Sequence, residues 1–146
     1  MLGALQSGDT VSGMDDMRFE GVTLLVDDVA VMAEFYENVL GFAVTERQDD
    51  YVAFDGGDKR LAIFRRSGRN EHTDDPVYLE PRSGQVVELN FICPTPEIVR
   101  AKYAELVERG AVSIAEPVER EWGHLAGFFG DPEGNIHSIF AVLPDA

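Results

Sequence analysis

Three histidines and a single cysteine are the first side chains to weigh for chemistry in this 146-residue chain. Cys93 has no second cysteine to pair with and no His or Asp motif beside it to make it a nucleophile. It reads as a small packed residue, and the lone thiol points to a reducing cytoplasm. His72 lies in a polar stretch and reads as solvated. His124 follows Trp122-Gly123 where a loop enters an aromatic-rich segment, so its imidazole could border a cleft and hydrogen-bond a ligand, with Trp122 stacking beside it. No Gly-x-Ser-x-Gly elbow, no phosphate-cradling loop followed by Lys-Ser/Thr and no Cys-x-x-Cys pair is present. Gly56-Gly57 reads as a turn, and no carboxylate pair stands out by spacing for acid–base work.

The bulk composition narrows the partners. The formal net charge of −15 repels nucleic acid phosphates and anionic membranes and favours cationic small molecules. No run approaches the roughly 18 apolar residues of a membrane span. The first residues, Met1 to Asp16, lack the basic and long apolar regions of a secretory signal, and their Gly, Ser and Asp content predicts a flexible leader over residues 1–16.

The elements that must position these side chains follow from periodicity and punctuation. Phe19 to Val26 reads as a strand, and Asp27-Asp28 can cap a helix start. Val29, Met32, Phe35, Tyr36, Val39 and Leu40 then fall at helical spacing, and Gly41 stops the helix. Phe42 to Glu46, Tyr51 to Phe54 and Leu61 to Phe64 read as strands separated by polar or Gly-rich turns. A polar linker follows, broken only by Val77-Tyr78-Leu79. Gln85 to Cys93 reads as another strand. Thr95-Pro96 opens a second helix whose apolar face is Val99, Tyr103, Leu106 and Val107, ended by Gly110. Val112 to Ile114 is a strand. Phe128-Phe129 and Ile136 to Phe140 flank Asp131-Pro132-Glu133-Gly134-Asn135 as a closing hairpin.

One order, strand–helix–strand–strand–strand, therefore occurs twice. Asp55 to Phe64 aligns with Asp131 to Phe140 without a gap. The expectation is an α+β fold of two tandem βαβββ modules, residues 17–66 and 85–144, joined by a linker over 67–84 and forming curved mixed sheets around a cleft.

Three groups of residues give the chain a resemblance to the vicinal oxygen chelate superfamily, which holds glyoxalase I, the bleomycin-resistance proteins and the extradiol dioxygenases. They are Leu25-Val-Asp-Asp-Val29 with Phe35-Tyr36 and Val39-Leu-Gly-Phe42; Tyr103-Ala-Glu-Leu-Val-Glu-Arg-Gly110; and Trp122-Gly-His124 with Phe128 and Asp131-Pro-Glu-Gly-Asn135. The resemblance covers Arg18 to about Leu143. It implies a homodimer and, in catalytic members, a divalent metal held at four strand positions. These fall here at Gly21, Ala62, Glu88 (or Asn90, two residues on) and Ser138. Glu88 is the one strong ligand among them, whereas a catalytic zinc usually needs three. His137 is adjacent to Ser138, so in a regular strand it faces the opposite side.

The reading that follows is a metal-independent small-molecule binding protein of the bleomycin-resistance type, without a cofactor, sequestering a cationic or aromatic compound. Its candidate contacts are Tyr51, Phe64, Glu88, Asn90, Trp122, His124 and Ser138. A second reading is a lyase, isomerase or dioxygenase in which Glu88 converges with His137 or His124 on a metal. A third is an interaction domain whose cleft is occluded.

Overall fold

The first helix starts where its cap is. In the computed structural model, which describes residues 16–145, the Asp28 side chain accepts the Val31 N–H at 3.1 Å, and α1 runs Val29–Glu34. A π-helical turn, Phe35–Val39, continues it, so the expected single helix to Leu40 changes hydrogen-bond register half-way. The Leu40 N–H reaches back five residues to the Phe35 carbonyl, and two successive aromatic residues, Phe35 and Tyr36, are both buried. The second helix, α2 (Pro96–Arg109), has Thr95 as N-cap and Pro96 in its first turn, and Gly110 ends it with φ 124°.

Among the described residues, eight strands form two four-stranded sheets of the same order. The first contains β1 (Gly21–Val26), β2 (Val44–Gln48), β3 (Tyr51–Gly56) and β4 (Lys59–Arg65), arranged β1-β4-β3-β2. The second contains β5 (Asn90–Ile92), β6 (Val112–Glu119), β7 (His124–Gly130) and β8 (Ile136–Val142), arranged β5-β8-β7-β6. In each sheet the strand before the helix pairs in parallel with the last strand, and the other pairs are antiparallel. Thr23 pairs with Ala62 as Asn90 pairs with Ser138, so the repeat read in the sequence is a repeat of register. The connection between the sheets carries two short 3₁₀ turns, Arg66–Glu71 and Pro76–Leu79. The leader expected over residues 1–16 lies, Asp16 aside, outside the described residues.

One correction concerns β5. The strand expected from Gln85 to Cys93 is regular only over Asn90–Ile92, because the Gln85 side chain takes up the Ile136 backbone groups that a longer ladder would use. The expected Val112 to Ile114 strand is instead longer, extending to Glu119 through two register shifts opposite β7.

The helix-bearing faces of both modules share one core. Leu24, Val52, Phe54 and Ile63 of the first sheet and Leu125, Phe129 and Ile139 of the second belong to it, together with Met32, Tyr36, Val99 and Tyr103 from the helices. Phe42 and Phe91 meet across the junction with ring centroids 6.0 Å apart. The Glu133 carboxylate, in the turn of the closing hairpin, accepts the backbone N–H groups of Asp27 (3.1 Å) and Asp28 (2.8 Å) at the end of β1. Because side chains alternate along a strand, these contacts leave the opposite face of each sheet outside the shared core.

Candidate ligand-binding site

The open face of the second sheet holds a cleft of about 340 Å³. Side chains at alternate positions line it: His124, Ala126 and Phe128 from β7, Ser138 and Phe140 from β8, Asn90 from β5, Glu88 just before β5, and Trp122 ahead of β7. Five of the seven expected contacts therefore come together: Glu88, Asn90, Trp122, His124 and Ser138. Phe128 and Phe140 were not among the expected contacts. Their signal was present in the sequence, because 124, 126 and 128 share one strand face and 138 and 140 share another.

The cleft is aromatic with a few fixed polar groups. The His124 ring lies flat on Phe140, with centroids 4.6 Å apart and planes 17° from parallel. The Trp122 indole N–H donates to His124 Nδ1 at 3.2 Å, which places the imidazole proton on Nε2 as a donor with no other partner among the described residues. The Ser138 hydroxyl donates to the Asn90 amide oxygen at 2.6 Å, and the Asn90 NH₂ group has no hydrogen-bond partner among the described residues. Arg120 lies over Phe128, 5.6 Å from the ring centroid, and donates to the Ala126 carbonyl. Glu88 carries the one carboxylate in the lining, with no hydrogen bond or ion pair among the described residues.

Tyr51 and Phe64 sit elsewhere. They pair with each other on the open face of the first sheet, ring centroids 6.4 Å apart, and do not reach the cleft of the second. Arg60 donates to the Tyr51 hydroxyl and is itself paired with Glu20 at 2.8 Å. The hydrogen bond and charge of Arg60 hold the Glu20 carboxyl below the usual range. Phe64 is covered by the first 3₁₀ turn: the Arg69 guanidinium is 4.7 Å from its centroid, His72 is 6.0 Å away, and a Cβ on Gly68 would come within 2.9 Å of the ring.

His137 faces away from the cleft and is fully buried. Its Nδ1 accepts the Leu89 N–H at 3.1 Å and its Nε2 meets the Tyr36 hydroxyl at 2.8 Å. That hydroxyl donates to Asp131 at 2.7 Å. Burial pushes the Asp131 carboxyl up, but the nearby His137 imidazole, 3.6 Å away, and hydrogen bonds from Tyr36 and Asn135 outweigh it and hold the group below its usual value. Burial, then the neighbouring Asp131 charge, pushes the Tyr36 phenol well above its usual range. Cys93 is half-buried against the core, and burial raises its thiol.

The residues do not fit a divalent metal of the family type. Ala62 offers no donor, and a side chain at Gly21 would overlap the Arg60 carbonyl oxygen. The Ser138 hydroxyl is committed to Asn90, and among the described residues no three His, Cys, Asp or Glu side chains converge. His137 lies on the face opposite Glu88, so of the two pairings open to a metal-dependent reading only Glu88 with His124 shares the cleft, and among the described residues no third His, Cys, Asp or Glu side chain joins them.

This architecture and sequence match a known family model, described as the glyoxalase/bleomycin resistance protein/dioxygenase superfamily, over residues 18–138. The chain belongs to this superfamily. Among its relatives are the uncharacterized protein YraH of Bacillus subtilis, 28% identical over 131 residues, covering 87% of this chain and 100% of that one. The virulence protein STM3117 of Salmonella typhimurium is 26% identical over 125 residues, covering 84% and 82% of the two chains. A glyoxalase/bleomycin resistance protein/dioxygenase from Nocardioides has the same fold at a TM-score of 0.79, with 25% identity over 89% of this chain and 86% of that one. Among the described residues no helix is long and apolar enough to cross a membrane.

Proposed function

We propose that this superfamily member is a metal-independent small-molecule binding protein that takes a cationic, aromatic compound into the cleft of its second sheet, in the cytoplasm. The carrying observation is the combination at that cleft of a stacked His124–Phe140 pair with Glu88, a carboxylate that has no partner among the described residues. A flat ring can extend the stack, and a positive charge on it meets Glu88 in a chain of net charge −15. The volume is at the low end of the roughly 300–1,000 Å³ of small-molecule pockets, which suits a compact ring system.

We further propose that the protein works as a homodimer. Within one chain, Tyr51 and Phe64 belong to a different sheet face from Glu88, so a second copy is what could set the first face of one chain against the second face of another. Exposed apolar side chains flank the free edge of the second sheet, Val86 at 96% and Ile92 at 66% exposure, and burying them favours association.

Trp122 is the sole tryptophan and lines the cleft, so its fluorescence reports occupancy directly. Titration with proflavine or bleomycin is expected to quench it and to raise Tm, with Glu88→Gln weakening binding by about tenfold. No quenching and no thermal shift at saturating concentrations of either compound would sink the proposal. Sedimentation equilibrium of the full chain tests the dimer, and a monomer at high micromolar concentration counts against it.

A further inference from the structure

We propose that His137 and Gln85 are positioning residues for the cleft: neither touches the ligand, and together they hold the segment that presents Glu88 and Asn90. This rests on the reading of that cleft as a ligand site.

The argument begins with a ladder that stops short. Asn90 pairs with Ser138 in parallel, and the Ser138 N–H donates to the Leu89 carbonyl at 3.0 Å. One more step of a parallel ladder would send the Leu89 N–H to the Ile136 carbonyl and the Ile136 N–H to the Val87 carbonyl. The Gln85 side chain stands in that place. Its amide oxygen accepts the Ile136 N–H at 2.7 Å, and its NH₂ group donates to the Ile136 carbonyl at 2.7 Å and to the Val87 carbonyl at 3.0 Å. One amide thus satisfies backbone groups on both chain segments, and β5 begins only at Asn90.

The wedge leaves the Leu89 N–H without its ladder partner, and His137 supplies one. The imidazole projects from β8 to the core side and accepts this N–H through Nδ1 at 3.1 Å. An accepting Nδ1 places the ring proton on Nε2, which then donates to the Tyr36 hydroxyl at 2.8 Å. Tyr36 in turn donates to Asp131, whose carboxylate is locked by the Glu133 and Asn135 N–H groups at 3.0 and 2.9 Å. A directional chain therefore runs from Leu89 through His137 and Tyr36 to the hairpin turn at the junction of the modules. Leu89 is flanked by Glu88 and Asn90, both of which line the cleft. Pinning the backbone between them restricts where the carboxylate and the amide point, which is how a supporting shell acts on a binding site.

Two substitutions at one position separate this role from plain stability. His137→Asn keeps an oxygen near the place of Nδ1, able to accept the Leu89 N–H, and gives up Tyr36. His137→Gln reaches towards Tyr36 and leaves the Leu89 N–H unpaired. Both lose part of the buried network, so both lower Tm. Amide hydrogen exchange of the full chain, followed by NMR, is expected to speed up at Leu89 by about tenfold or more in His137→Gln relative to His137→Asn. Proflavine binding, read by Trp122 quenching, is expected to weaken about tenfold in His137→Gln and to recover most of that loss in His137→Asn. The exposed Gln85→Ala change is expected to speed exchange at Ile136 and weaken the dye while leaving Tm nearly unchanged. Equal exchange at Leu89 in the two His137 variants would overturn the positioning role, and so would dye affinity that follows Tm alone. The exchange measurement needs no ligand: absence of dye binding to the unmodified chain overturns the ligand reading, while the Leu89 comparison still decides the holding role.

Discussion

The two modules share one topology and one register, yet they leave different amounts of their open faces accessible. In the first, the aromatic side chains are already engaged: Tyr51 with Arg60, and Phe64 beneath Arg69, His72 and the Gly68 backbone. In the second, Arg120 lies over Phe128 and His124 stacks on Phe140, yet these rings still line an open cleft, and Glu88 in its lining has no partner among the described residues. The strand that precedes each helix differs too. β1 pairs with β4 over six residues, whereas β5 pairs with β8 over three and gives way to the Gln85 wedge. A duplicated scaffold thus covers one open face and leaves a cleft on the other, through a few side chains and not through a change of fold.

The largest expected effect lies where the two modules are joined. Asp131 accepts hydrogen bonds from Tyr36, Glu133 and Asn135 while buried. Asp131→Ala leaves those donors unpaired and is expected to cost roughly 3 kcal/mol, measured by urea unfolding. If the loss is well under 1 kcal/mol, the junction is not what keeps the modules in register.

A pH titration of stability probes the same junction with a smaller effect. The folded-state value of Asp131 lies below its ordinary 3.8, so the carboxylate form is the one the fold favours. Its stabilisation is complete above that ordinary value and is lost as pH falls through the lower folded value. Unfolding free energy is expected to drop below about pH 4, with a shallower slope in Asp131→Ala. An identical slope in both proteins would assign the acid sensitivity to other carboxylates.

The contrast between the faces is sharpened by matched truncations. Phe64→Ala is expected to lower stability by about 1–2 kcal/mol, with proflavine affinity changed less than threefold in the monomeric fraction. Phe140→Ala is expected to cost dye affinity by about tenfold, because the His124 stack loses its second ring. Reversal of the pattern, with dye affinity following Phe64, would move the ligand to the first face. The smallest effect is expected from Arg69→Ala, about 0.5–1 kcal/mol from the lost contact with the Phe64 ring. Faster access of a solvent quencher is not a readout there, since Trp122 is on the other face. Hydrogen exchange in the first 3₁₀ turn is the measurement, and unchanged protection would mean that the Gly68 backbone alone covers Phe64.

Much of the fold was legible because its signals are local. Asp28 and Thr95 cap helices through bonds that span three residues, and Gly41, Gly110 and Gly134 supply the positive φ that stops or turns the chain. Strand alternation separated His137 from Ser138 and put Glu88 and Asn90 on one face, while the pairing of β8 with β5 and β7 is what brings Ser138 and His124 to that same face. The same alternation also implied Phe128 and Phe140, whose place beside His124 follows from the pairing of β7 with β8.

What the sequence could not determine rests on partners far apart in the chain. Tyr51 and Phe64 share aromatic character with the cleft residues, and no local pattern says that the shared core is built on the helix-bearing sides, leaving these two residues on a separate face. Gln85 reads as the start of a strand. Only the position of Ile136, 51 residues away, turns its side chain into a substitute for backbone. The fate of His137 was half determined: its side of the sheet follows from parity, but its partner Leu89, 48 residues away, is met only when the second sheet forms, and Tyr36, 101 residues away, only once both modules have docked. Caps, turns and strand faces are set by neighbours within a few residues. The pinning of the cleft and the difference between its two candidate faces are set by tertiary packing, because hydrogen-bond geometry must be met in space by groups that sequence proximity does not bring together.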